Sequence, residues 1–158
     1  MMGTSNYLGL VGGGTIPKFA SNKVIVWDDQ AAKPAIEIST LSPVRGLQIS
    51  RQRIVVALQN SIRLYQFVKP PQFIGQYETA DNVLGLCCLS EKFVAFPGRT
   101  PGQVQLVEVD TNNVSIIPAH SSSLRALALS QDSQLLATAS DTVGFQESGT
   151  NVRLCLQL

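Results

Sequence analysis

Hydrophobic residues along this chain come in short runs, each closed by a turn-forming cluster, and no stretch keeps a helical period over about eleven residues. Four runs share one local pattern: Val24-Ile25-Val26-Trp27, Ile62-Arg63-Leu64-Tyr65, Val104-Gln105-Leu106-Val107 and Val152-Arg153-Leu154-Cys155. Their first positions fall at 24, 62, 104 and 152, giving intervals of 38, 42 and 48 residues. A β-branched or leucine-rich run precedes each of them: Tyr7 to Val11, Ile54 to Leu58, Phe93 to Phe96 and Leu135 to Ala139. Ahead of these lie Val44 to Ile49, Val83 to Leu89 and Leu124 to Leu129, expected as innermost strands. Ala35 to Ile38, Phe73 to Tyr77 and Val114 to Ile117 follow the shared pattern and are expected as outer strands. Turn signals separate the runs at Gln59-Asn60, Pro97-Gly98, Pro101-Gly102, Thr111-Asn112-Asn113 and Gln131-Asp132-Ser133.

A period near 40 residues with about four strands per repeat is the mark of WD40-type β-propeller blades. The expected fold class is therefore all-β, a WD40-type β-propeller, and a partial one. Two full four-strand blades can be laid out, over about 44–79 and 83–117, with an earlier blade over 6–40 lacking its first strand and an incomplete later one over 120–158. Closed rings usually need about four to eight blades, so about three and a half suggest a piece of a larger propeller. Stacked repeats bury a continuous core, and an uncapped end leaves an apolar face and unpaired backbone groups in water.

Composition agrees with strands buried on both faces: 44% of the 158 residues are hydrophobic and 15% charged. The formal net charge of +1 gives no global positive field for nucleic acid, so any anion site must be local. No run of about 18 apolar residues is present to span a bilayer as a helix, and the Met1-Met2-Gly3-Thr4-Ser5 start lacks the basic and apolar regions of a secretory signal. Cys87, Cys88 and Cys155 match no zinc or redox spacing. They read as buried thiols in a reducing, cytoplasmic compartment.

Catalysis finds no support, because one histidine, no metal-ligand cluster and no spaced nucleophile–base pair leave nothing to assemble. No cofactor is implied either. Taken alone, His120 beside a strand reads as a structural histidine satisfying neighbouring backbone. Ser140 and Thr150 read as strand-end hydroxyls, and Arg153 matches Arg63 in an earlier repeat, as on a solvated strand face. The glycines of Gly12-Gly13-Gly14 are no phosphate cradle, since no Gly-Lys-Ser/Thr follows and the flanks are strands; they read as a permissive turn.

Particular residues carry a family resemblance. Asn6-Tyr7-Leu8-Gly9-Leu10-Val11-Gly12-Gly13-Gly14 with Asn22-Lys23-Val24-Ile25-Val26-Trp27-Asp28-Asp29 closely resembles blade two of the PROPPIN family, the β-propellers that bind phosphoinositides and act in autophagy. Arg53-Ile54-Val55-Val56, Gly85-Leu86-Cys87, Ala95-Phe96-Pro97-Gly98, Pro118-Ala119-His120 and Leu136-Ala137-Thr138-Ala139-Ser140 follow in the family's order, so the resemblance covers about residues 6 to 154. It implies a seven-bladed parent, of which this chain matches blades two to four and part of five. The family's paired-arginine motif would follow the present C-terminus. Its Ser-x-x-Gly-Thr of blade five is interrupted here by six additional residues between Asp141 and Gly149.

The resemblance implies that His120, Thr138, Ser140, Gly149, Thr150 and Arg153 form the blade-five phosphoinositide pocket. The residue types suit a phosphorylated inositol: a guanidinium fork for a phosphate, hydroxyl donors, a close backbone N–H and an imidazole. It also implies that the loop tip Pro17, Lys18 and Phe19 helps dock the lipid-transfer protein of autophagy through blades two and three. Phosphoinositide membranes are the other expected partner, carrying phosphatidylinositol 3-phosphate or the 3,5-bisphosphate, with a peripheral location on preautophagosomal or endosomal and vacuolar membranes. This chain alone is expected to bind such membranes weakly or not at all. The competing expectation is a protein-interaction scaffold that keeps blades two and three without lipid binding. A truncation that aggregates through its open edge is the third.

Overall fold

Among the described residues, fourteen antiparallel strands form four consecutive sheets. The computed structural model describes residues 6–141 and, as strand backbone, 150–157. The first sheet holds β1 (Tyr7–Val11), β2 (Lys23–Asp28) and β3 (Lys33–Ser39). The second holds β4 (Gly46–Ile49), β5 (Arg53–Ala57), β6 (Ser61–Gln66) and β7 (Gln72–Glu78). The third holds β8 (Cys88–Leu89), β9 (Phe93–Pro97), β10 (Gln103–Glu108) and β11 (Val114–Pro118). The fourth holds β12 (Leu124–Leu129), β13 (Leu135–Asp141) and β14 (Thr150–Gln157). Each strand pairs with its sequence neighbour. The up-and-down order within each sheet and the stacking of sheet on sheet are those of propeller blades, and the all-β, partial-propeller reading holds.

The middle strands are apolar at consecutive positions because alternate side chains enter different cores. On β5, Val55 and Ala57 join Leu64, Val94, Phe96 and Val107 between the second and third sheets. Ile54 and Val56 join Val24, Val26, Ile36 and Ile38 between the first and second. On β9, Phe96 enters the former core while Ala95 joins Val104, Leu106, Leu124 and Leu136 between the third and fourth sheets. This explains why two-faced apolar runs, rather than strict alternation, mark these strands.

One expected strand is largely missing. The run from Val83 to Leu89 pairs only at Cys88 and Leu89. The Asn82 side chain accepts from Leu86 N–H at 2.8 Å and donates to Leu86 C=O at 3.1 Å, and Gly85 N–H donates to Asn82 C=O at 3.0 Å. Local hydrogen bonding of this kind competes with the ladder. It leaves Val83 and Leu84 about half exposed. Gly85, at φ +64°, also lies against the backbone of Arg45 and Gly46, so closely that a Cβ on either glycine would overlap the other segment. At the opposite end of the same two sheets, the Arg53 guanidinium donates to Val109 C=O at 2.5 Å.

Cys87 is buried and Cys88 partly so, both as free thiols. Burial pushes each thiol up to about 12, with the neighbouring Cys87 adding to the effect on Cys88. At neutral pH they are protonated, and a thiol is a poor nucleophile in that form.

Candidate functional site

Among the described residues, the connections from an outer strand to the next sheet and the turns between the middle strands lie at one end of the molecule. Hydrogen bonds tie these segments together: Thr40 N–H to Asn22 C=O, Val44 N–H to Ser21 C=O, Asn82 N–H to Gln59 C=O and Ala80 N–H to Gly98 C=O, all between 2.7 and 2.9 Å. His120 belongs to this end, in the segment joining β11 to β12. Two bonds anchor that segment, with Ala119 N–H and His120 N–H both donating to Gly102 C=O, at 3.1 and 2.9 Å. Gly102 has φ +82°, and a Cβ there would overlap the His120 carbonyl. Only glycine permits this approach.

So anchored, His120 Nε2 lies 2.9 Å from Thr138 Oγ1 on β13. Thr138 and Ser140 share one face of that strand, and both are buried, at 6% and 2% exposure. In the β13–β14 ladder, Arg153 stands opposite Thr138, Asn151 opposite Ser140 and Thr150 opposite Asp141. The structure therefore brings His120, Thr138 and Ser140 together and sets the backbone of Thr150 and Arg153 alongside them. Gly149 and the additional residues before it lie outside the described residues.

Three further residues border this group that the sequence reading did not single out. The Ser122 hydroxyl donates to the Asp141 carbonyl. Arg125 Nε donates to Asp141 Oδ2 at 2.6 Å in an ion pair whose side chains are 53% and 46% exposed. Arg125 can reach Asp141 because β12 carries a β-bulge there: Leu124 pairs with Ser140 and Ala126 with Ala139, leaving Arg125 as the extra residue. The sequence signal for this pair is one cation and one anion near the facing ends of expected neighbouring strands, but the bulge itself has no sequence mark.

The loop tip differs from expectation. Pro17 and Lys18 are exposed, whereas Phe19 is half-buried and its carbonyl lies tight against Gly12. This close backbone approach closes the loop, and Ile16, 93% exposed, stands at the outer apolar position. Among the described residues, no group of three or more His, Cys, Asp or Glu is placed to hold a metal ion, and no helix is long and apolar enough to cross a membrane.

No family model matches the chain. Individual relatives do. "SVP1-like protein 2" of Emericella nidulans is 56% identical over 154 residues, covering 98% of this chain and 47% of the relative. "Autophagy-related protein 18e" of Arabidopsis thaliana is 37% identical over 147 residues, covering 89% of this chain and 38% of the relative. Among solved structures, Kluyveromyces lactis Hsv2 superposes with a TM-score of 0.75 at 20% identity, over 89% of this chain and 43% of that one. KlAtg21, solved in complex with the coiled-coil of AgAtg16, superposes with a TM-score of 0.72 at 15% identity, over 89% of this chain and 47% of that one. The chain spans about half the length of the curated relatives it matches. With the propeller sheets in place and the sequence motifs shared along almost all of its length, this chain belongs to the PROPPIN family of β-propellers.

Proposed function

We propose that this chain contributes to a phosphoinositide-binding propeller of autophagy, in which the end carrying His120 recognises phosphatidylinositol 3-phosphate, or the 3,5-bisphosphate, on preautophagosomal or endosomal membranes. The observation that carries the reading is the convergence of an imidazole and two hydroxyl residues with Arg153 opposite Thr138 in the ladder. An arginine at this register position suits a phosphate ligand, because charge-assisted bonds from a guanidinium are worth roughly 1.5–3 kcal/mol each. The role is recognition rather than catalysis: phosphate contacts orient the propeller on a membrane surface.

Liposome flotation at fixed salt tests this. Vesicles containing phosphatidylinositol 3-phosphate are expected to carry a fraction of the chain, weakly but selectively over phosphatidylinositol, and Arg153→Ala is expected to abolish that fraction. A folded sample that never floats removes the lipid role from this chain.

A second reading has its own observation. The exposed Ile16-Pro17-Lys18 tip presents an apolar and a charged residue on a closed loop, which suits protein docking. In the scaffold reading, the autophagy lipid-transfer protein binds here through the first two sheets. Lys18→Glu is then expected to abolish pull-down of that protein while leaving flotation unchanged. Pull-down that survives both Lys18→Glu and Ile16→Ser overturns the loop assignment.

A further inference from the structure

The outer edges of the first three sheets are not alike. β3 carries Lys33 and Glu37, and its register shifts opposite Val26 and Trp27. β7 carries Glu78 and shifts register opposite Leu64 and Tyr65, and the Gln105 side chain donates to the Glu78 carbonyl at 2.8 Å. Charges and bulges are the usual means by which a free strand edge is kept from pairing. β11 has neither: Val114 to Pro118 pair with β10 in unbroken register, and residues 111–119 hold no charged side chain. Val114 and Ile116 are 45% and 61% exposed. The same residues hold the outward backbone groups. Glu108 N–H and Asn113 C=O are bonded at one end of the ladder, and Ala119 N–H and Gly102 C=O at the other. Inward and outward pairs alternate along antiparallel strands. Val114, Ile116 and Pro118 therefore turn their main-chain groups away from β10, on the side where no strand follows in the sheet.

We propose that β11 is a self-association edge, to which a second copy of this chain adds its own β11, antiparallel, about a two-fold axis through Ile116. The partner follows from the pattern of the edge. Centred there, the two Ile116 residues exchange N–H and C=O bonds, and Val114 of each strand lies opposite Pro118 of the other. Val114 N–H then meets the Pro118 carbonyl, and a proline, lacking an N–H, needs only to accept. Every outward N–H of the two strands finds an acceptor. The side chains of Val114, Ile116 and Pro118 cover one another on the face they share. A two-fold contact sets one patch against itself, so a charge on the axis would meet its like. β11 is uncharged along its whole length and meets that demand. As the outer strand of a four-stranded sheet, it stands apart from the His120 site, and the inference does not depend on the phosphoinositide reading. A strand pair of this length falls short of the roughly 1,200 Å² buried in a stable complex, so the association is weak and concentration-dependent.

Amide hydrogen exchange of the full chain at about 5 µM and about 500 µM tests this, with sedimentation velocity on the same samples, since the lower concentration leaves so small an interface dissociated. At the higher concentration a shift toward dimer is expected, with exchange at Val114 and Ile116 slowed about threefold or more. Ser115 and Ile117 already bond to β10 and are expected not to change. Ile116→Lys and Ile116→Glu, at an exposed position, are each expected to stay monomeric with parental melting temperatures, because like charges meet on the axis. Mixing the two variants is expected to restore a dimer with the same two amides protected, which requires the two side chains to meet there. Val114 and Ile116 amides that exchange alike at both concentrations overturn the proposal. Fast at both, the edge stays open; slow at both, a segment of the same chain already covers it. Association that survives Ile116→Lys, or that leaves these amides unprotected, runs through another edge and overturns it as well. A mixture of the two variants that stays monomeric while the parent dimerises removes the axis at Ile116, and the proposal with it.

Discussion

Phe96→Ala is expected to lower the unfolding free energy by about 3–5 kcal/mol, the usual cost of emptying a large aromatic site in a core. Phe96 is fully buried on β9 among Val55, Leu64, Val94 and Val107, and its ring lies 5.5 Å from that of Tyr77. Those neighbours come from strands of two sheets that neighbouring contacts already hold, so the cavity can collapse only in part. A domain commonly has only about 5–15 kcal/mol of stability in total. The variant should therefore unfold at markedly lower urea concentration, with exposure of Cys87 as a second readout. Ile116→Ser, at a site 61% exposed on β11, serves as the control, with an expected change within about 0.5 kcal/mol. Equal effects from the two substitutions would contradict the placement of the core between the second and third sheets.

Gly102→Ala is expected to cost about 2–4 kcal/mol, from left-handed backbone strain together with the two hydrogen bonds it displaces. The added methyl overlaps the His120 carbonyl and lies 2.9 Å from the Ser122 carbonyl. The segment carrying Ala119 and His120 must then move away from the Gly102 carbonyl that both N–H groups use. His120 is the chain's single histidine, so its ring resonances report on the site without assignment ambiguity. In the parent they should show an imidazole bonded to Thr138, and in Gly102→Ala that signature should be lost. Gly13→Ala, at a glycine with open space around its Cβ position, should change neither quantity. A Gly102→Ala protein with parental stability and parental histidine resonances would contradict the anchoring role.

Much of the architecture was legible in the residues. Runs such as Ile54 to Leu58 and Phe93 to Phe96 are β-branched or aromatic over the length of one strand, and their recurrence at a period near 40 marks stacked sheets. The Val83 to Leu89 run misled because apolar content does not report where an Asn side chain will take a backbone group from the ladder. The loop tip misled for a different reason: Phe19 is half-buried in a loop whose backbone closes between Gly12 and Phe19, a closure that hydrophobicity alone does not reveal. In the candidate site, the His120–Thr138 meeting follows from motifs 18 residues apart. The Gly102 anchor and the Arg125 bulge depend on register and on contacts between sheets, which leave no local pattern.

The two glycines at one end of the second and third sheets and the Arg53 guanidinium at the other make two fasteners set a strand's length apart. One fastener alone would leave a hinge about which the sheets could fan open. Two remove that degree of freedom, so the pair moves as one stiff plate. Amide hydrogen exchange should accordingly be slowest across β5, β6, β9 and β10, with opening starting in the flanking sheets. The His120 segment attaches to this plate through Gly102, so a ligand held there pulls on the rigid part of the molecule.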